Sequence, residues 1–184
     1  PPVTPLRGRG FACAFKNIGF SFAFPERSEA RIELHGDRTV ERAVLFSSSA
    51  DVGQGSHTVL RQIAAEALGL DPGVVETVWS DTALTGDFGS ASASRSTFMG
   101  GNAVLGAAEE AQKRWLDGDR PAVGEFRYVP PPTEHLADDC GPSRPNFAYT
   151  YAAEAVDVSV DPETGMIRVD RVVAVTDTGR TVNP

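Results

Sequence analysis

Two loops of small residues each lead straight into a helical pattern. Asp51-Val-Gly-Gln-Gly-Ser-His-Thr58 precedes apolar residues at Val59, Leu60, Ile63, Ala64, Ala67 and Leu68, the spacing of a helix with one buried face. Gly89-Ser-Ala-Ser-Ala-Ser-Arg-Ser96 precedes Met99, Val104, Leu105, Ala108, Ala111 and Trp115, which predicts a second helix over about residues 97–116. A helix opening carries backbone N–H groups without intrahelical partners and the positive end of the helix dipole. Such an opening suits an anionic ligand rich in hydrogen-bonding atoms. Neither loop continues into Gly-Lys-Ser/Thr, and neither has Gly-x-Gly-x-x-Gly spacing, so the nucleotide and dinucleotide fingerprints are absent. A phosphate- or nucleotide-binding domain built on the two helix ends stays open as an alternative.

Within the first loop Gln54 stands between Gly53 and Gly55. Its amide both donates and accepts, and flanking glycines let backbone approach a ligand. Taken alone, the same motif is equally an ordinary turn with a solvated amide. In the second loop Ser94 and Ser96 flank Arg95. The hydroxyls suit either a ligand or a helix cap, and Ser56 is the expected cap of the first helix. Arg95 suits a phosphate or surface carboxylates. His35, His57 and His135 are scattered without metal spacing or the partners of a catalytic triad, and His57 is expected exposed in a first helical turn. Glu154 falls in phase with Val156, Val158 and Val160; a bend after Ala153 would expose it. Cys13 and Cys140 are too few for an iron–sulfur cluster, lack zinc spacing, and read as reduced thiols. No metal-ligand set is predicted.

The elements that must position these residues are short strands. Gly8 to Phe24 carries Phe11, Phe15, Phe20, Phe22 and Phe24 and reads as extended chain whose phenylalanines are mostly core. Residues 30–35 alternate apolar and polar, Gly36-Asp37 is a turn, and residues 39–47 return, predicting an antiparallel pair. Gly69 is placed to close the first helix. Short strands are expected over 74–80 and 122–129. Pro130 to Pro145 is a proline-rich connection, read as a surface crossing. Residues 147–160 form a strand, Asp161-Pro-Glu-Thr-Gly165 a turn, and Ile167 to Val175 the return strand. The predicted class is α+β: a layered antiparallel or mixed sheet with two main helices, over 1–184 as one domain or two small lobes.

The 184 residues are 41% hydrophobic and 23% charged, with a net charge of −8, a globular composition that argues against a nucleic-acid surface. No stretch approaches the roughly 20 apolar residues of a membrane helix, and no signal peptide is visible; a cytoplasmic protein is expected. Both ends, Pro-Pro and Asn-Pro, read as cut from something longer.

Together three segments resemble the molybdopterin-binding subunit of the xanthine dehydrogenase and aldehyde oxidase family: Gly53-Gln54-Gly55, then Ser94-Arg95-Ser96 with Gly101-Asn102-Ala103, then Asp177-Thr-Gly-Arg-Thr-Val-Asn-Pro184. Order and rough spacing match across almost the whole chain. The resemblance implies that Gly53, Gln54 and Gly55 and the loop Ala93, Ser94, Arg95 and Ser96 bind molybdopterin, with Ala93 the small residue placed against the metal. It implies that Phe22 and Ala23 line the substrate pocket. It matches only the first part of the second cofactor-binding domain, so the catalytic base is expected beyond Pro184. The parent enzyme is expected to hydroxylate an aldehyde or N-heteroaromatic carbon. Its partners would be the remaining molybdopterin-binding domains and iron–sulfur and FAD subunits or domains. Alone, the chain is expected to lack cofactor and activity. A non-catalytic assembly module completing a partner's site is the other reading.

Overall fold

The computed structural model describes residues 4–139 and 141–182. The reading of Cys140 and of the closing Asn183-Pro184 of the third segment therefore lies outside the described residues. The described residues divide into two compact units, one of residues 4–16 and 149–181, the other centred on Asn17–Ala148.

The larger unit is built on a four-stranded sheet. Its strands are β2 (Ser28–His35), β3 (Arg42–Ser47), β4 (Val75–Trp79) and β5 (Ala122–Tyr128), in the order β4-β3-β2-β5. β2 runs antiparallel to β3 and β5. β3 and β4 are parallel, with helix α1 (Ser56–Leu68) in the crossover between them. The alternation read from residues 30–35 is present in space: Ser28, Ala30, Ile32 and Leu34 are buried while the residues between them are half-buried, as a period of two requires. Ile32, Leu34, Leu45, Leu60, Val75 and Val104 form the core with a row of alanines on helix α2 (Gly101–Asp117). Each large apolar side chain buried there contributes about 1.5–3 kcal/mol.

Glycine sets how closely α2 lies on the sheet. A Cβ at Gly124 would stand 2.1 Å from the Ala107 carbonyl oxygen and 2.4 Å from the Ala111 nitrogen. At its far end α1 closes as expected, with Gly69 in the left-handed region and the Leu70 N–H donating to Ala65 O. The second helix departs from the expected regular start. Its first turn, Ser96–Gly100, is π-helical before α2 proper begins. Glycine is needed at the end of this turn, because a Cβ at Gly100 would meet the Phe88 ring at 2.3 Å. Phe88 is 1% exposed and anchors the start of the loop in the core.

The smaller unit is a three-stranded sheet of β1 (Leu6–Asn17), β6 (Tyr149–Val160) and β7 (Ile167–Asp177), in the order β1-β6-β7. β6 and β7 form an antiparallel hairpin closed by Asp161–Gly165, with a bulge beside Asp157/Val158. β7 is exposed along its whole length. One expectation fails: the phenylalanines assigned mostly to a core are largely outside one, Phe11 and Phe15 on β1 and Phe22 and Phe24 in the larger unit each being 49% exposed or more. Glu154 is exposed as expected, but without a bend, because β6 is continuous through it. No helix among the described residues is long and apolar enough to cross a membrane.

Candidate cofactor site

The first loop is organised by Asp51. Its carboxylate accepts the N–H groups of Gly53 at 2.9 Å, Gly55 at 3.2 Å and His57 at 3.2 Å. The N–H groups of Gly53 and His57 hold its carboxyl below the usual carboxylate range. This corrects two expectations. Ser56 does not cap α1: Gly55 is the cap residue, in the left-handed region, and the Ser56 hydroxyl donates back to Ala50 O. Nor are the opening N–H groups of α1 all free for an anion, since a carboxylate of the same loop already holds three of the loop's and helix's N–H groups. Gly53 and Gly55 are required by conformation, with φ of 105° and 78°, and a Cβ on either would meet nothing within 4 Å. The Gln54 amide folds over the turn, accepting from Val52 N–H and donating to Ala50 O and the Ser56 hydroxyl.

His57 is half-buried rather than exposed. One ring nitrogen lies 2.7 Å from Ser49 O, and the ring stacks on Trp79 with centroids 4.0 Å apart. It locks α1 to β4.

The second loop is organised by Arg95, which is 2% exposed and so does not face solvent or surface carboxylates. Its Nε donates to the buried Glu26 carboxylate at 2.8 Å, Nη1 to Phe88 O and Ser90 O, and Nη2 to Arg27 O. Glu26 in turn accepts the Phe20 N–H, and the Gly19 N–H donates to Ala93 O at 2.8 Å. These bonds tie the Phe20–Arg27 segment to the Phe88–Ser96 loop. Neither Ser94 nor Ser96 caps the following helix; Asn102 donates instead to Phe98 O within the π turn.

Among the described residues, five that are not glycine have positive φ: Phe22, Ala23, Ser80, Ala93 and Ser94. Four of them are predicted site residues. The left-handed region costs an ordinary residue about 1–2 kcal/mol, and such strain clusters at ligand clamps. A hollow in the larger unit is lined by Val52, Gln54, Ala91, Ser92, Ser94, Ser96 and Thr97. It brings Gln54 together with Ser94 and Ser96 across forty residues of sequence. Val52, Ala91, Ser92 and Thr97 also line it although the sequence did not single them out, Ala91 and Ser92 belonging to the same serine-alanine run. Phe22 and Ala23 do not line this hollow. They are exposed and held by the hydrogen bonds Phe22 N–H to Pro145 O and Ala23 N–H to Thr133 Oγ1. In the smaller unit Asp177 closes β7 and accepts the Gly179 N–H. Among the described residues no three His, Cys, Asp or Glu side chains gather to hold a metal ion.

The mixed α+β unit thus presents a hollow whose wall carries four hydroxyls, one carboxamide, a valine and an alanine, and no charged side chain. The chain belongs to the molybdopterin cofactor-binding domain family, whose pattern matches residues 3–120 and 118–184. It is 28% identical over 204 residues to the probable hypoxanthine oxidase of Escherichia coli, covering 96% of this chain and 21% of that protein. It is 28% identical over 199 residues to the aldehyde oxidoreductase of Megalodesulfovibrio gigas, covering 98% and 21%. The solved aldehyde oxidoreductase from Desulfovibrio gigas superposes with a TM-score of 0.84 at 26% identity, over 99% of this chain and 21% of that one. The chain thus spans about a fifth of the length of the relatives it matches.

Proposed function

We propose that this chain forms one wall of the molybdopterin site of a molybdenum hydroxylase acting on an aldehyde or N-heteroaromatic compound. The observation that carries the reading is the convergence of Gln54 with Ser94 and Ser96 on one hollow. The donor set fits the group: the Ser92, Ser94, Ser96 and Thr97 hydroxyls on the wall can each donate and accept, matching a pterin edge, and the Gln54 amide joins them by exchanging its bonds to Val52, Ala50 and Ser56. Gln54 and Ser92, Ser94 and Ser96 hold the cofactor, and Gly53 and Gly55 give the turn its left-handed shape. Ala93 keeps its place small, and Arg95 sets the loop from behind rather than touching the ligand. Phe22 and Ala23 face the substrate. When bound, the cofactor supplies oxidative hydroxylation with oxygen taken from water. No residue of this chain is assigned as the base. The remaining cofactor-binding domains, and iron–sulfur and FAD carriers for the electrons, belong to other domains or chains of a cytoplasmic enzyme. The bonds that Asp51 accepts at the opening of α1 weigh against a phosphate or nucleotide seated on that helix end.

The test is cofactor retention. In the assembled enzyme, Gln54→Ala with Ser94→Ala and Ser96→Ala is expected to lower the pterin released per chain at least about tenfold. Each lost hydrogen bond is worth about 1 kcal/mol, and about 1.4 kcal/mol is a factor of ten. Wild-type retention by the folded triple variant would refute the site. The chain alone, purified free of other oxidases, is expected to hydroxylate neither aldehydes nor purines with a dye as electron acceptor.

A further inference from the structure

The three-stranded sheet has no core of its own. Every buried apolar residue among the described residues lies between Ala30 and Ala122, and the smaller unit buries only the polar Ser159. Its faces follow from pairing. Arg9 binds Asp157 at 2.5 Å, and Asp157 stands opposite Arg171. Phe15 packs its ring on Tyr149 and Tyr151 with centroids 5.8 and 6.5 Å apart. Alternate residues share a face, so Phe11, Phe15, Tyr151, Val173 and Val175 lie on the same face as Arg9 and Arg171. Those five side chains are exposed by 72%, 71%, 55%, 39% and 64%.

One end of this face is aromatic. The other is a hollow lined by Arg7, Arg9, Arg168 and Arg171 against only Asp157 and Asp170. The chain's net charge is −8, yet the smaller unit has six basic and six acidic residues, so this cationic end stands out against the rest. Aromatic and arginine side chains without lysine are the composition of an interface centre. Three strands of about twelve residues cover roughly 40 by 14 Å, most of the ~800 Å² that one side of a stable interface needs.

We infer that this face is a protein-docking surface, and that its occupant is another part of the hydroxylase, presenting apolar side chains to Phe11, Phe15 and Tyr151 and carboxylates to the arginines. The inference rests on the hydroxylase reading above. Relatives carry about four fifths of their length outside the matched segment, enough to supply that surface. A second copy of this chain is the poorer fit, because equivalent arginine ends would repel one another.

Hydroxyl-radical footprinting tests it on the chain alone and on the assembled hydroxylase purified through a tag on the chain, with released pterin measured in parallel. An interface centre excludes water, so oxidation of Phe11, Phe15 and Tyr151 is expected to fall about tenfold on assembly. Arg7→Glu with Arg171→Glu should lower recovery of the partner polypeptide about tenfold, and the corresponding Lys pair should restore most of it; wild-type recovery with the Glu pair would overturn the acidic contact. Equal oxidation in a pterin-containing assembly would overturn the docking surface and leave the cofactor reading standing. A chain that enters no pterin-containing assembly would overturn both. Concentration-dependent protection of the same residues in the chain alone, with a dimer in sedimentation, would make the occupant a second copy and overturn this choice of partner.

Discussion

Arg95 donates from every guanidinium nitrogen inside the protein, to one carboxylate and three carbonyl groups. Lysine offers a point charge without that fork, so Arg95→Lys should not substitute. Arg95→Met leaves the Glu26 carboxylate buried with the Phe20 N–H but without its counter-charge, and breaking a buried pair from one side costs about 3–5 kcal/mol. The expected result is a lower urea midpoint for Arg95→Met, with much of the loss recovered in Arg95→Met/Glu26→Leu; a double variant no better than the single would mean the pair is not the coupling. Asp51 predicts a pH dependence. Its folded-state carboxyl is held below the ordinary value by the Gly53 and His57 N–H groups, so its contribution is present above the unfolded value of about 3.9 and is lost as pH falls through the lower folded value. Melting temperatures of wild type and Asp51→Asn should therefore differ at neutral pH and converge in acid. A gap that widens on acidification would reverse the sign and refute the assignment.

At the scale of elements, α2 and β5 meet backbone to backbone at Gly124. A methyl group there has no flexible neighbour to displace, because the nearest atoms are Ala107 O and Ala111 N. Gly124→Ala is expected to cost about 1–3 kcal/mol by overpacking, read as a lower urea midpoint at unchanged slope. Gly10→Ala in β1, where a Cβ meets nothing within 4 Å, is the matched control and should change little. The strands, the two helices, the Gly69 closure and the Asp161–Gly165 turn were legible in the sequence, because each follows from a local period or a local conformational need. The shared hollow of Gln54, Ser94 and Ser96 was legible only through the order of three motifs. What could not be read were relations across long separations. Arg95 finds Glu26 sixty-nine residues away, Phe88 packs against Gly100, and β3 and β4 pair in parallel through a helical crossover. The phenylalanines of β1 misled for a different reason: an apolar residue waiting for a covering surface has the same sequence signature as one already covered.

At the scale of the molecule, the two units differ in what holds them. The four-stranded sheet buries a continuous apolar cluster under two helices. The three-stranded sheet relies on its ladder, on the Phe15–Tyr149–Tyr151 cluster and on exposed ion pairs such as Arg9–Asp157 and Arg168–Asp170. Exposed pairs contribute about 0–1 kcal/mol each, far less than a core. Segments with few buried apolar contacts open at low free energy, whereas core strands open only near the global stability. In the chain alone, backbone amides paired between β6 and β7 are therefore expected to exchange with solvent at least about 100-fold faster than those paired between β2 and β3, a gap of roughly 2.7 kcal/mol in opening free energy. Covering the aromatic and arginine face should close most of that gap, because burial adds the apolar contacts the sheet lacks. Amide exchange followed by mass spectrometry on the chain and on the assembled enzyme reads both quantities at once. Equal protection of the two sheets in the isolated chain would mean that the ladder suffices by itself, and that the exposed apolar face plays no part in holding the smaller unit together.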